Sequence, residues 1–396
     1  MSGHDIVLYG ATGFTGQLMV NYLARHPERH RFSWAIAGRN PDKLTRIREA
    51  VAAQGAEPGL IVAEAADGAS VEAMVADAKV ILNVAGPFSE YHGDNIVGAC
   101  ARTGTHYADL SGEYWFQRRM IDEFHTEAER TGAKVIVAAG VDSIPSDLGV
   151  QLAIERLSEK GGRARHVKAM FTTYSGSFSG GTSHTMRALK KVRRSPEYEP
   201  GFHTDPYVLA PDAERTHDGE TVTGWDERRF DRDLRRFGVP FFMAPINARV
   251  VRRSLALEGH LPCTYEEGMS MAAGLKVLWL YASRGLGYFV GDPIPMRPRS
   301  GQGPPLWLQR AGGFCVRVHA ATADRSKSAL VEVRGSGDPG YRATSKMLTE
   351  VGLALLLDEA PPRAGVLTPA AALGPTLRQR LAKTEEGRFM QFRVLD

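Results

Sequence analysis

The chain has 396 residues, enough for two or three domains built on a large core. Lysine and arginine total 49 against 45 acids, a net charge of +4, which excludes the strongly basic profile of a general nucleic-acid binder. Three cysteines, Cys100, Cys263 and Cys315, stand far apart with no CxxC pair and no metal-ligand spacing, and no charged-then-apolar leader opens the sequence, so a reducing, cytoplasmic setting without a bound metal is expected.

The first predicted strand is Ile6–Tyr9. It runs into a turn carrying Gly10, Gly13 and Gly16, and a helix follows from Phe14 to Arg25. Glycine lets the backbone approach a phosphate, and a helix start offers free N–H groups at the positive end of its dipole. Gly10, Thr12, Gly13, Phe14, Thr15 and Gly16 are therefore candidate cofactor-binding residues. The rival reading is a glycine-rich turn without a ligand. The second strand, Phe32–Ala37, ends in Gly38-Arg39-Asn40. In a strand–turn–helix–strand unit this position meets the adenosine ribose. An acid there would bind the hydroxyls of NAD. Arg39, with Asn40 and Lys43 beside it, suits a phosphate instead, so the cofactor expected is NADP(H).

The alternation continues. A helix at Pro41–Ala53, a strand at Leu60–Ala63, a helix at Ser70–Ala76 and a strand at Lys79–Val84 follow. Next come a helix at Asp94–Thr103, a strand at Thr105–Leu110, a helix to Arg130 and a strand at Lys134–Ala139. This is the signature of a Rossmann-type doubly wound parallel sheet, whose ligands lie beyond the carboxyl ends of the strands. Asn83, Ala85, Gly86 and Pro87 should then border the nicotinamide-side phosphate and ribose, or form a plain loop. Asp109, Gly112, Glu113 and Asp142 should lie near the nicotinamide ribose or carboxamide, or cap helices. Asp147 reads as a carboxylate in a helix's first turn.

After Asp142 the pattern changes. A helix at Pro145–Leu157 and a strand at His166–Tyr174 lead to a glycine-rich turn and a basic helix, Met186–Arg194. Residues 195–310 resist assignment. Within them, the charges of 226–236 alternate in sign and read as a salt-bridged surface. Met269–Val290 is apolar but interrupted by Gly274, Gly285 and Gly287, so it does not read as a bilayer span. Its default reading is a core helix; the others are a wall of an acyl tunnel and an interfacial lipid contact. Strands at Phe314–Ala321 and Ala329–Gly335 and helices at Tyr341–Leu357 and Pro369–Leu381 close the chain. The expected division is a dinucleotide-binding domain at 1–142, a mixed α+β domain at 143–338, and a segment at 339–396 that packs back on the first domain.

Six motifs carry a family resemblance: Gly10-Ala-Thr-Gly-Phe-Thr-Gly16, Ala37-Gly-Arg-Asn40, Asn83-Val-Ala-Gly-Pro-Phe88, Tyr107-Ala-Asp-Leu-Ser-Gly-Glu113, Val141-Asp-Ser-Ile-Pro-Ser-Asp-Leu-Gly149 and Ser179-Gly-Gly-Thr182. Together they resemble the saccharopine dehydrogenase-like oxidoreductases. The tail motifs Asp338-Pro-Gly-Tyr341 and Gly365-Val-Leu-Thr-Pro-Ala370 resemble the trans-acting enoyl reductase branch of polyketide lipid synthesis. The resemblance implies a Rossmann domain, an inserted mixed domain that often dimerises, and NADP(H). It also implies an acyl thioester substrate on a carrier protein or coenzyme A.

Enoyl reduction needs donors for a developing enolate oxygen and a proton for the α-carbon. Gly180, Gly181 and Thr182 offer helix-start amides to a thioester carbonyl, or an ordinary cap. Tyr174 and His184 are candidate proton donors, with solvent or plain packing as the rival readings. The basic helix can dock an acidic carrier or its phosphopantetheine arm, or simply face water. The enzymatic alternative is a saccharopine-type dehydrogenase acting on an amino acid C–N bond, which needs arginines around a carboxylate-rich substrate. Non-enzymatic alternatives are an NADP-sensing regulator and a lipid-associated protein with a structural cofactor.

Overall fold

The structure, a computed structural model, describes residues 3–176, 188–189, 191–193, 195–212, 220–279 and 306–396. Its centre is β1 (His4–Tyr9), buried over Ile6–Tyr9. A continuous apolar run, rather than an alternating one, marks a parallel strand covered on both faces. The chain then gives α1 (Phe14–Ala24), β2 (Trp34–Gly38), α2 (Pro41–Ala52), β3 (Gly59–Val62), α3 (Gly68–Ala76) and β4 (Ala78–Asn83). It continues through α4 (Gly93–Thr103), β5 (His106–Asp109), α5 (Tyr114–Thr131), β6 (Lys134–Ile136) and α6 (Ile144–Glu159). A late strand, β13 (Gly365–Leu367), pairs parallel with β6. The first sheet therefore has seven parallel strands in the order β13-β6-β5-β4-β1-β2-β3. Strand order reverses between β1 and β4; β2 and β4 flank β1 and both pair with it in parallel. That switch point opens a crevice at the carboxyl ends, where doubly wound sheets hold ligands.

A second sheet is mixed. Its strands are β7 (His166–Ser175), β8 (Arg229–Asp231), β9 (Arg236–Pro240), β10 (Thr264–Ser270), β11 (Gly313–Ala321), β12 (Ser328–Ser336) and β14 (Met390–Val394). They lie in the order β14-β12-β11-β7-β10-β9-β8. Only β7 and β10 run parallel; the remaining neighbours are antiparallel. Helix α6 and α7 (Ala244–Leu257) contribute buried apolar residues to the core beside this sheet. A short helix, α8 (Leu306–Ala311), precedes β11. The fold is thus a Rossmann-type parallel sheet joined to a second, mixed α+β unit.

The tail serves both sheets. Helix α9 (Arg342–Leu357) packs on α1, β4 and β5. Helix α10 (Pro369–Gly387) packs on α6 and α9, and it leads into β14 at the edge of the second sheet. Asp147, in the first turn of α6, accepts from Ala370 N of α10 at 2.8 Å and from Ser254 Oγ of α7 at 2.5 Å. One buried carboxylate thereby joins three helices. Burial pushes it up to about 7 despite these hydrogen bonds.

Several elements differ from the sequence expectation. Strands β8, β9, β10, β13 and β14 and helix α7 were not legible. The expected core helix in Met269–Val290 is instead the end of β10 followed by helical residues 271–279. Leu275, Leu278 and Trp279 there are 58, 64 and 71% exposed, so this face is not core, while Ala273 on the opposite face is buried in it. Residues 280–290 lie outside the described residues.

Candidate active site

The crevice is built on the β1–α1 turn. Gly10 has φ +86°, a left-handed value that favours glycine. Gly16 opens α1 against the turn's own backbone: a Cβ there would lie 2.3 Å from the Gly10 carbonyl oxygen. Gly13 is different. Its nearest backbone neighbour to a built Cβ is 3.4 Å away, so its surface is open. It is also the N-cap of α1, with no side-chain cap and no acid in the first turn. The first amides of α1 and the positive end of its dipole are left for an anion. Thr12, Phe14 and Thr15 line the same turn, each half-buried. Phe14 stacks edge-on against Tyr341 at 4.7 Å, which ties the turn to the Asp338–Tyr341 loop before α9.

Arg39 ends β2 and is exposed. Its charge reaches the Tyr9 hydroxyl, whose pKa burial raises and the Ala65 N–H and Arg39 lower. The guanidinium therefore lies beside the β1 and β3 ends, with no ion pair to a described residue. Lys43 is exposed one turn into α2. Asn40 is engaged as the α2 N-cap, its Oδ1 accepting from Lys43 N at 2.9 Å, so it holds the helix that carries Lys43.

The β4 and β5 ends bring a correction. Asn83 and Asp109 are 1% and 0% exposed and do not present side chains to the crevice. Asn83 Nδ2 donates to Tyr107 Oη at 3.1 Å, and its Oδ1 accepts from Ala85 N at 2.9 Å. Tyr107 Oη donates to Asp109 Oδ2 at 3.0 Å. The other carboxylate oxygen accepts from Ser111 N at 2.9 Å, Ser111 Oγ at 2.7 Å and Ala138 N at 3.2 Å. The pleat places these side chains on the α4–α5 face, inside the protein. Burial pushes the Asp109 carboxyl up to about 6, against these hydrogen bonds. The network's work is to fix the ends of β4, β5 and β6. Glu113 has a similar task. It accepts from Phe88 N at 2.8 Å and Ser89 N at 3.0 Å, and from Ser89 Oγ, so it clamps the loop after Ala85-Gly86-Pro87 rather than capping α5. Of that loop, Ala85 and Gly86 reach the surface and Pro87 is buried.

Asp142 lies in the segment between β6 and α6. It follows β6, half-buried, with no hydrogen bond or ion pair to a described residue. Burial alone pushes its carboxyl up to about 6. Gly112 abuts Ile246 at the start of α7, where an added Cβ would lie 3.2 Å from Ile246 Cδ1. Opposite, Tyr174 at the end of β7 packs on Phe241 and Phe242, each 5.6 Å between ring centroids. These aromatics form an apolar cluster in which Phe241 is buried in the core and Tyr174 and Phe242 are half-buried. The expected substrate turn Gly180, Gly181 and Thr182, and the candidate donor His184, lie outside the described residues.

Sequence reasoning missed the arginines of α7. Arg249 donates to the carbonyls of His203 at 2.7 Å and Pro245 at 2.8 Å, and sits over the Tyr114 ring at 4.0 Å. Arg252 reaches Val222 O at 2.6 Å and Tyr265 O at 2.7 Å, with Glu220 at 3.0 Å. Arg253 donates to Leu209 O and Val366 O, and burial pushes its pKa down to about 9. All three are at most 1% exposed. The spacing Arg249, Arg252, Arg253 was the available signal: i, i+3 and i+4 share one helical face. Among the described residues no group of three or more His, Cys, Asp or Glu side chains can hold a metal. No helix there is long and apolar enough to cross a membrane.

With this geometry in place, comparison with known proteins is direct. Residues 6–136 match the saccharopine dehydrogenase NADP-binding domain family. A trans-acting enoyl reductase of Mycobacterium bovis BCG is 36% identical over 404 residues, covering 95% of each chain. One from Mycobacterium ulcerans is 34% identical over 406 residues, covering 96% of each. Among solved structures, apo saccharopine dehydrogenase (L-Glu forming) of Saccharomyces cerevisiae superposes across 100% of both chains with a TM-score of 0.51 at 14% identity, a likeness of fold. The molecule is an NADP(H)-dependent oxidoreductase of the saccharopine dehydrogenase-like class. Within that class the chain belongs to the trans-acting enoyl reductase family.

Proposed function

We propose that the chain reduces the α,β-double bond of an acyl thioester, presented by a carrier protein or coenzyme A, in lipid metabolism. The observation that carries this reading is the apolar cluster at the end of β7, where the half-buried Tyr174 and Phe242 pack over the core residue Phe241. A saccharopine-type substrate carries several carboxylates and needs cations there. The arginines of α7 are instead committed to backbone carbonyls. The similarity to trans-acting enoyl reductases supports the same choice.

The residues present fit the cofactor. The α1 amides at Gly13 to Gly16 would hold the pyrophosphate, and Arg39 with Lys43 would clasp the 2′-phosphate. Gly86, Gly112 and Asp142 border the nicotinamide end. When bound, NADPH supplies the hydride. The half-buried faces of Tyr174 and Phe242 would exclude water and orient the acyl chain. Tyr174 and Asp142 each have the position and the chemistry to deliver a proton to the α-carbon. A carboxyl held near 6 is partly protonated at neutral pH, which suits a donor. His184 and the Gly180–Thr182 turn stay in this reading as a second donor and as amides for the thioester oxygen. The division at 142 and 338, a cytoplasmic setting and a homodimer belong to the same proposal.

The test is turnover. The full chain is mixed with NADPH and a medium-chain enoyl thioester, and separately with an amino acid plus an oxo acid. Loss of NADPH absorbance with the thioester alone supports the reading. Turnover of the amino acid pair alone moves the chain to the C–N branch.

A further inference from the structure

The mixed-charge run 226–236 folds as the β8–β9 hairpin, and its charges separate. Asp231 and Asp233 both turn to Lys168, each at 2.6 Å. Arg229 pairs with Glu266 and lies over the Trp225 ring at 4.4 Å. Arg228, Arg232, Arg235 and Arg236 are exposed, with no carboxylate partner among the described residues. The run is thus not salt-bridged to itself. Its acids in the hairpin are consumed inward and its arginines are left outward.

Apolar residues accompany them. Phe230 and Phe237 face each other across the hairpin at 5.1 Å and are 50% and 55% exposed. Phe237 shares its face of β9 with Val239, and Val239 touches Gly274 of the helical stretch 271–279, where an added Cβ would lie 3.3 Å from Val239 Cγ2. Along that stretch Met271, Leu275, Leu278 and Trp279 fall at i, i+4, i+7 and i+8, one helical stripe, and all are exposed. Lys276 is exposed beside them. Two neighbouring elements therefore present an apolar surface, with the exposed cations Arg232 and Arg235 at the hairpin turn and Lys276 on the helical stretch beside it; Arg236 lies on the opposite face of β9, and Asp226 and Glu227 are exposed before the hairpin. Stretches of this size on a soluble surface mark a contact.

We propose that this face seats the enzyme on the surface of an anionic lipid bilayer. The phenylalanines and leucines enter the headgroup–acyl boundary, Trp279 lies at the rim, and Arg232, Arg235 and Lys276 meet lipid phosphates. Charge argues against a second copy as the occupant. A two-fold contact through the hairpin sets Arg232 and Arg235 of each copy against those of the other. The face is continuous in the chain with the aromatic cluster: β9 ends at Pro240, and the next two residues are Phe241 and Phe242, which pack on Tyr174. The inference does not depend on which substrate the crevice takes.

The test is flotation of the full-length chain with phosphatidylcholine vesicles, made with or without phosphatidylglycerol. The wild type is expected to float with the anionic vesicles, to stay down with neutral ones, and to be released by high salt. F230S/F237S and, separately, R232E/R235E should lower the partition by at least about tenfold. NADPH affinity and sedimentation coefficient should not change, which separates surface loss from misfolding. Wild-type protein that ignores anionic vesicles overturns the proposal, and so does F230S/F237S floating as well as wild type. A wild-type dimer that F230S/F237S converts to monomer, with no flotation by either, also overturns it and assigns the face to a second copy.

Discussion

The three glycines of the first turn make separate demands, and alanine substitutions tell them apart. Gly16→Ala drives a Cβ to 2.3 Å from the Gly10 carbonyl oxygen and 2.8 Å from Ala11 Cα. Both are backbone atoms, so α1 must back away from the turn. Overpacking of this kind costs about 1–3 kcal/mol. Gly10→Ala combines a φ of +86° with a Cβ 2.9 Å from Ala85 N, and should cost a similar amount. Gly13→Ala meets only the Gly10 carbonyl, at 3.4 Å, and its φ of −74° suits alanine. Stability should change by less than about 0.5 kcal/mol, because lost unfolded-state freedom offsets a poorer cap. Nucleotide affinity should nonetheless drop by at least about tenfold, since the methyl group occupies the space through which phosphate approaches the α1 amides. Urea unfolding gives the first quantity and calorimetric titration with NADPH the second. A Gly13→Ala protein with wild-type affinity would refute the placement of the pyrophosphate. A fully stable Gly16→Ala protein would refute the close helix–turn contact.

Arg253→Met should destabilise the fold by about 2–4 kcal/mol, because the carbonyls of Leu209 and Val366 lose their buried donor; an unchanged urea midpoint contradicts this. Asp147 is raised to about 7 from an unfolded value near 4, so the native state holds a proton that the unfolded chain has released across that window. Stability should therefore fall as pH rises from about 4 to about 7, by an amount on the order of 2–4 kcal/mol from this group, and level off above. Stability that rises over the same window contradicts the assignment, and Asp147→Asn should flatten the dependence. Tyr174→Phe should slow single-turnover enoyl reduction by about 10²-fold or more with NADPH affinity intact, and a wild-type rate passes the donor role to Asp142. Asp142→Asn, in that event, should remove a step near pH 6 from the rate profile.

The first half of the fold was legible because its physics is local. Buried parallel strands are continuous apolar runs, and glycine turns followed by helix starts punctuate them. The pair Asn83 and Asp109 was misread for a reason of the same kind. A residue at a strand's carboxyl end is near the crevice in sequence, but the pleat decides which face its side chain takes. Here the Tyr107 hydroxyl lies on that same inner face and captures both. Residues 195–310 were opaque because their order is not carried by apolar periodicity. β8 has three residues, and α7 buries arginines on loop carbonyls where charge ordinarily signals solvent. β13 is also three residues long and is a strand only because β6 is beside it. Asp142 was legible by position alone; its lack of a partner needed coordinates.

The central claim is that Arg39 makes this crevice an NADP(H) site. Calorimetric titration of NADPH and NADH into the wild type and into Arg39→Ala tests it most directly. The account predicts a clear NADPH preference in the wild type. In the variant that preference should shrink by at least about tenfold, the worth of one charge-assisted phosphate clasp, while NADH binds much as before. Equal affinity for the two nucleotides in the wild type, or a preference that survives the loss of Arg39, would contradict it.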